Sequence, residues 1–251
     1  MGSLLKLTFP ILALLFRPLP SLASAAADSS EDPQVHNLFQ NVDRAFLRHY
    51  LHQNKAKTRK PSKKLQKIAL SMIDASGTAF QKKYHVYVVN DPEPYAAASP
   101  DGYLFIHTGM FKLKLSDAET AALIGHELGH VILKHWLARL QRELPPDLLE
   151  KYAEKTYPVD SPRIARLYRA VRHTGYTPDE EYEADMAGAQ FLADDAYPPK
   201  SMPGLLKKLY KNRRGKKGKD PYLAVHPLTP ARIKQIEAQV PLVKPRTKRL
   251  F

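Results

Sequence analysis

The chain has 251 residues, 43% of them hydrophobic, which is enough for one sizeable core. It contains no cysteine, so disulfides, cysteine nucleophiles and thiolate metal sites are excluded. The formal charge of +14 favours anionic surroundings, whether a membrane surface, an acidic polymer or nucleic acid, and says nothing about fold.

The chain opens with a short segment carrying Lys6 and the apolar run LTFPILALLF (7–16), followed by helix breakers and small residues around Ala23, Ala25 and Ala27. This pattern reads as a secretory signal peptide over residues 1–27, cleaved between Ala25 and Ala27. This run of ten residues is too short to span a bilayer. Pro10 inside the run, Arg17 just after it and the lack of an acidic residue before Asp28 keep a mitochondrial presequence open as the alternative. The expectation is therefore an exported protein, periplasmic or secreted, with residues 28–251 as one domain ending in a basic tail. Loss of Lys6 and Arg17 would leave a charge of +12, and no later segment is apolar enough to cross a membrane.

Val35, Phe39, Val42 and Phe46 have helical spacing within 33–57, and Leu65, Ile68, Ala69 and Met72 have it within 63–76. KYHVYVVN (83–90) is rich in β-branched and aromatic residues and reads as a strand. AAAS (96–99) reads as an edge segment, PDG (100–102) as a turn and YLFIHTG (103–109) as a second full strand. Ser116 and Glu119 have capping-box spacing, predicting a helix from Asp117 to Arg142. More helical pattern follows at 147–156 and 162–173. Thr177 with Pro178 starts another helix over 177–195, and a last one starts near Thr229. The fold class is α+β, mostly helical with a small antiparallel sheet.

Within AALIGHELGHVILKH (121–135), His126 and His130 lie four apart and so share one helix face. Two imidazoles on one face can grip one ion, and Glu127 beside them can reach a water on it; HExxH on a helix is a zinc-hydrolase arrangement. Burying these groups without partners would cost several kcal/mol (about 2–7 each for neutral polar groups), a cost that a metal removes. Gly125 and Gly129, each costing about 1 kcal/mol in a helix interior, mark a close approach by another element. Catalytic zinc needs three protein ligands and an open position. The extended HExxHxxGxxH pattern fails, because Leu133 and Trp136 stand at its last two positions. The remaining source is EYEAD (181–185), where Glu181 would bind the metal. Asp185, one turn on, would hold the far nitrogen of a ligand histidine, His126.

GHELGH followed by EYEAD resembles the gluzincin zinc metallopeptidases that include the HtpX, Oma and CAAX prenyl proteases, with the nearest likeness to the soluble exported periplasmic members. The resemblance covers residues 35–240 and implies a zincin-like catalytic domain, one Zn2+ per chain and a polypeptide substrate. It maps the third ligand onto Glu181 rather than Glu180 or Glu183. HPLTPARI carries a further likeness, implying that His226 donates a hydrogen bond to the oxyanion and that Arg232 orients the site. Tyr95-Ala96 departs from the Asn-Ala common in that family. The activity implied is an endopeptidase for unfolded or extended segments in envelope protein quality control, with Glu127 as general base and substrate added as a strand at 96–99. His135 lies five residues beyond His130, off the ligand face, and His36, His49, His52, His85, His107 and His173 have no ligand spacing.

KAKTRKPSKKLQK (55–67) and KKLYKNRRGKKGK (207–219) concentrate Lys and Arg and read first as solvated, flexible loops. Their functional reading is docking on anionic lipid or an acidic partner. Tyr210 is the sole aromatic residue in the second segment, which argues against a dedicated nucleic-acid binder. Two other readings stay open. One is a latent peptidase that acts mainly as a chaperone-like peptide binder. The other is a polyanion binder with an incidental metal site.

Overall fold

The structure is a computed structural model that describes residues 57–77, 84–100, 102–145, 174–214 and 220–246, with isolated helical positions at 41, 44, 47, 48, 50, 52 and 162. The signal-peptide segment, most of the helix expected over 33–57, and the helical patterns at 147–156 and 162–173 lie outside the described residues, Pro162 excepted.

Four short strands form one sheet: β1 (Thr58–Arg59), β2 (His85–Val89), β3 (Ala96–Ser99) and β4 (Tyr103–His107), in the order β1-β2-β4-β3. The expected antiparallel sheet is in fact mixed. β3 and β4 form an antiparallel pair, as the turn between them dictates, with Gly102 at φ 86° donating its N–H to the Ser99 carbonyl. β4 then lies between β3 and β2 and pairs parallel with β2, His85 opposite Tyr103. A turn motif sets the sense of the two strands it joins; which side the pair offers to β2 is decided by packing.

The register sorts the side chains onto two faces. Val86, Val88, Ala96, Leu104 and Ile106 point into the main core. Val89 and Phe105 point to the other face, where they meet Leu47, Tyr50, Tyr87 and Tyr103. Phe105 and Tyr50 pack ring against ring at 4.6 Å. The N-terminal helical positions therefore cover an aromatic face that would otherwise be wet.

Helix α1 (Lys63–Ala75) is capped by Ser62 and buries Leu65, Ile68, Ala69 and Met72. A single turn, α2 (Thr108–Phe111), follows β4. Helix α3 (Asp117–Ile132) begins in the expected capping box of Ser116 and Glu119 and is buried on every side from Ala121 to Val131. Such a helix belongs at the centre of a core. The pattern expected to continue to Arg142 is broken: Lys134 adopts a left-handed backbone with φ 55°, and α4 (His135–Glu143) leaves in a new direction. No glycine or proline marks the break; apolar periodicity runs through it and masks it.

Helix α5 (Pro178–Asp194) starts at Thr177 with Pro178 in its first turn and Glu180 closing a capping box. It packs along α3 at the closeness the glycines imply. A methyl on Gly129 would fall 2.8 Å from the Ala184 carbonyl oxygen, and one on Gly125 would fall 3.1 Å from Gly188 Cα. Helices α6 (Ser201–Arg214), α7 (Pro221–Val225) and α8 (Pro230–Gln239), then a 3-10 turn at Val240–Leu242, complete the described chain. Part of the second basic segment, expected as a flexible loop, is thus the end of α6, whose Met202, Leu205, Leu206 and Leu209 are buried. Lys207 pairs with Glu237, and Lys208 lies 2.6 Å from Glu119. In the first basic segment, 58–59 form β1 and Lys63–Lys67 begin α1.

Candidate metal centre

Helix α3 carries His126, Glu127 and His130 into the core, and α5, held against it by the small residues just described, carries Glu181 and Asp185 to the same place. The chain after α7 adds His226, and the first turn of α8 adds Arg232. All seven side chains are buried, Glu181 and Asp185 completely.

Four donors converge. His126 Nε2 lies 3.1 Å from His130 Nε2 and 3.2 Å from His226 Nδ1. Glu181 Oε1 lies 3.0 Å from His226 Nδ1 and 3.3 Å from His130 Nε2. One ligand atom from each of these four residues falls within 4.8 Å of the others. Tetrahedral zinc with bonds of about 2.0–2.1 Å has ligand atoms about 3.3 Å apart, and these four contacts are near that length. The charge balance agrees. Among these residues Glu127, Glu181 and Asp185 face a single guanidinium, Arg232, so neutral imidazoles would leave two negative charges. A divalent cation supplies the missing charge. The residues fit a zinc ion held by His126, His130 and Glu181, with His226 as a potential fourth donor.

The surroundings orient these candidate donors. His126 Nδ1 lies 2.9 Å from Asp185 Oδ1; donating its proton there turns the Nε2 lone pair into the cluster. Arg232 grips Asp185 through Nε at 2.7 Å and Nη2 at 2.8 Å, and bonds Glu181 through Nη1. Burial alone would raise both carboxyls, but His226 and Arg232 hold Glu181 well below its usual range, and Arg232 and His126 hold Asp185 down. Both shifts favour the anion, the form a metal ligand and its partner would need. Burial drives the His130 ring well below its usual value and keeps its lone pair available. Burial opposes charge on His126 too, but Asp185 and Glu181 outweigh it and raise that ring.

Glu127 differs from the other carboxyls. Burial raises it, against the pull of His226, His126 and a hydrogen bond from Tyr222. An upward shift is the direction that suits a carboxyl to proton exchange in catalysis. The Tyr222 hydroxyl donates to Glu127 Oε1 at 2.8 Å, and its ring stacks on His226 at 4.4 Å. Tyr176 stacks on His130 at 3.8 Å and is itself covered by Arg139. His135 Nδ1 lies 3.0 Å from His130 Nδ1. Sequence reasoning did not find Tyr222, Tyr176 or these contacts of His135. The tyrosines are single residues in segments with no pattern, and His135 meets His130 only because α3 breaks. His107 stays outside the cluster, bonded to Tyr50 and to the Glu93 carbonyl. β3 is an edge strand of the sheet, one neighbour away from β2.

A buried pair of helices that brings HExxH and a glutamate to one point is the framework of a zinc metallopeptidase. The sequence profile of peptidase family M48 matches residues 59–240, and the chain belongs to that family. It is 26% identical over 182 residues to the "Beta-barrel assembly-enhancing protease" of Yersinia pestis, covering 68% of this chain and 37% of that protein. It is 32% identical over 148 residues to the "Mitochondrial metalloendopeptidase OMA1" of Arabidopsis thaliana, covering 57% of this chain and 29% of that one. The "Metalloprotease YcaL" of Escherichia coli is 27% identical over 135 residues, covering 52% and 51%. The chain thus spans about a third of the length of the first two relatives. No described helix is long and apolar enough to cross a membrane.

Proposed function

We propose that the protein is a zinc-dependent endopeptidase that cleaves extended or unfolded polypeptide segments in protein quality control. The observation that carries this reading is the convergence of His126, His130 and Glu181 beside Glu127 in the buried core. In this reading His126, His130 and Glu181 hold the zinc. The ion when bound polarises the scissile carbonyl and acidifies a water. Glu127 takes the proton of the attacking water and delivers it to the leaving amine. His226 donates to the oxyanion, and Arg232 and Asp185 keep the ligand carboxylate and His126 in place. The substrate runs extended along the β3 edge, where backbone groups accept a further strand.

A second reading rests on His226. Its Nδ1 stands 3.0 Å from Glu181 Oε1, inside the donor cluster, and its side chain is 5% exposed. As a fourth ligand it fills the position that substrate and water need, giving a latent enzyme that binds peptide before it cuts. Activation then requires the segment bearing Tyr222 and His226 to withdraw.

The N-terminal sequence supports an exported protein. The apolar run at 7–16 and the alanines at 23–27 support export, with mitochondria as the alternative, the compartment in the printed name of the Arabidopsis relative. Docking on an anionic surface would use the exposed Lys57, Arg59, Lys60, Lys63 and Lys67.

The test is zinc content by mass spectrometry alongside casein digestion, for wild type, Glu127→Gln, Glu181→Ala and His226→Ala. The expected result is one zinc per chain in wild type and Glu127→Gln, less in Glu181→Ala, and digestion abolished by Glu127→Gln. Faster digestion by His226→Ala supports the latent form; slower digestion supports the oxyanion role. Digestion by Glu127→Gln at the wild-type rate defeats the mechanism.

A further inference from the structure

We infer that His135 and Glu183 form a positioning pair for the metal ligand His130, as a hydrogen-bonded chain running from the metal centre to the protein surface. The inference rests on the reading of His130 as a zinc ligand. His130 Nε2 faces His126 and Glu181, so Nδ1 is the nitrogen left to be oriented. That atom lies 3.0 Å from His135 Nδ1, and His135 Nε2 lies 3.1 Å from Glu183 Oε2. Only one assignment of protons satisfies the chain. With the Nε2 lone pair of His130 on the metal, its Nδ1–H donates to the bare Nδ1 of His135. His135 must then carry its own proton on Nε2, where the Glu183 carboxylate accepts it. The carboxylate thus selects the His135 tautomer, and His135 selects the His130 tautomer that can bind metal.

The backbone is built for this contact. On a continuous helix His135, five residues on from His130, would lie about 140° around the axis and could not reach it. Lys134 instead adopts φ 55°, a left-handed conformation that costs a non-glycine residue about 1–2 kcal/mol, and α4 restarts with His135 turned back onto His130. His135 is 4% exposed, whereas the Glu183 side chain is 36% exposed. The two ligand histidines are therefore backed differently. His126 rests on the fully buried Asp185 and Arg232, and His130 on a relay ending in a carboxylate that water can reach. Glu183 neighbours the proposed ligand Glu181 in sequence but serves the other helix.

The experiment follows zinc release from purified, zinc-loaded protein into a chromogenic chelator, with wild type, His135→Ala, Glu183→Ala and Glu183→Gln. Each is also melted in its metal-free form, and the visible spectrum of each cobalt-substituted form is recorded. Loss of such a partner lowers metal affinity about 10–100-fold, so zinc should leave His135→Ala about that much faster, with an altered cobalt spectrum. Glu183→Ala should release zinc about 3–10-fold faster, being one bond further away. Glu183→Gln should restore most of the wild-type rate, because its amide oxygen can still accept from Nε2–H. Wild-type release and an unchanged cobalt spectrum in both alanine variants overturn the inference, even if the metal-free His135→Ala melts lower, since that alone marks packing. Should His135→Ala not fold, the two Glu183 variants decide. Should wild type hold no zinc, the metal-centre reading itself fails and takes this pair with it.

Discussion

Gly129→Ala tests the claim that the metal centre depends on how closely α3 and α5 approach. The added methyl would stand 2.8 Å from the Ala184 carbonyl oxygen and 3.0 Å from Ala184 Cα, both backbone atoms that cannot swing aside. The helices must part by about 0.6 Å, the shortfall from the 3.4 Å at which ordinary contact begins. Overpacking of this kind costs about 1–3 kcal/mol, and the better helix propensity of alanine returns about 1 kcal/mol. The metal-free protein should therefore lose up to about 2 kcal/mol, a shift of about 2–4 °C per kcal/mol for a chain of this size. The effect on metal should be larger. Ala184 sits one turn from Glu181, so parting the helices draws the carboxylate away from His126 and His130, whereas metal–ligand distances tolerate about 0.2 Å. Zinc affinity, read by chelator competition, should fall at least about tenfold. Gly204→Ala is the control: its methyl would meet only the Glu119 side chain, at 3.5 Å, and should leave zinc affinity unchanged. Wild-type zinc affinity and melting temperature in Gly129→Ala would refute the argument.

Arg232→Met should destabilise the metal-free protein by about 3–5 kcal/mol in urea denaturation, because it leaves Asp185 and Glu181 buried without a cation; added zinc should recover part of the loss. Glu180→Gln tests a pH dependence. Burial disfavours the Glu180 anion, but its ion pair with Arg142 and the Thr177 backbone N–H outweigh that and hold its carboxyl below the usual value. A depressed folded pKa gives stability that is present above the unfolded value and lost as pH falls through the folded one. Wild type should thus exceed Glu180→Gln by about 1 kcal/mol at pH 7, and melts should show the gap closing below about pH 4. Tyr222→Phe removes a hydrogen bond that favours the Glu127 anion, so the acid limb of the kcat/KM profile should move to higher pH.

Much of the site was legible because its signals are local. HExxH needs only that residues four apart share a helix face, and Ser116, Thr177 and Thr229 announced their helices by capping chemistry that acts within three residues. The glycines of α3 also signalled a close neighbour, though not which one. α6 could have been found from Met202, Leu205, Leu206 and Leu209, but its lysines and arginines drew attention to charge instead. The Tyr222 hydroxyl on Glu127 and the ring of Tyr176 on His130 left no trace in any spacing.

By itself, the sequence determined the donor types, their placement on two helices, the capped starts of those helices and the turn between β3 and β4. Each is a property of a few consecutive residues and of backbone geometry that every chain shares. Tertiary structure alone decided that β4 pairs parallel with β2, that α3 breaks at Lys134, that Arg232 bridges Asp185 and Glu181, and that His226 enters the donor cluster. Those contacts join residues far apart in the chain. They are selected by how the buried faces pack and how buried charges find partners, and no short window of sequence contains that information.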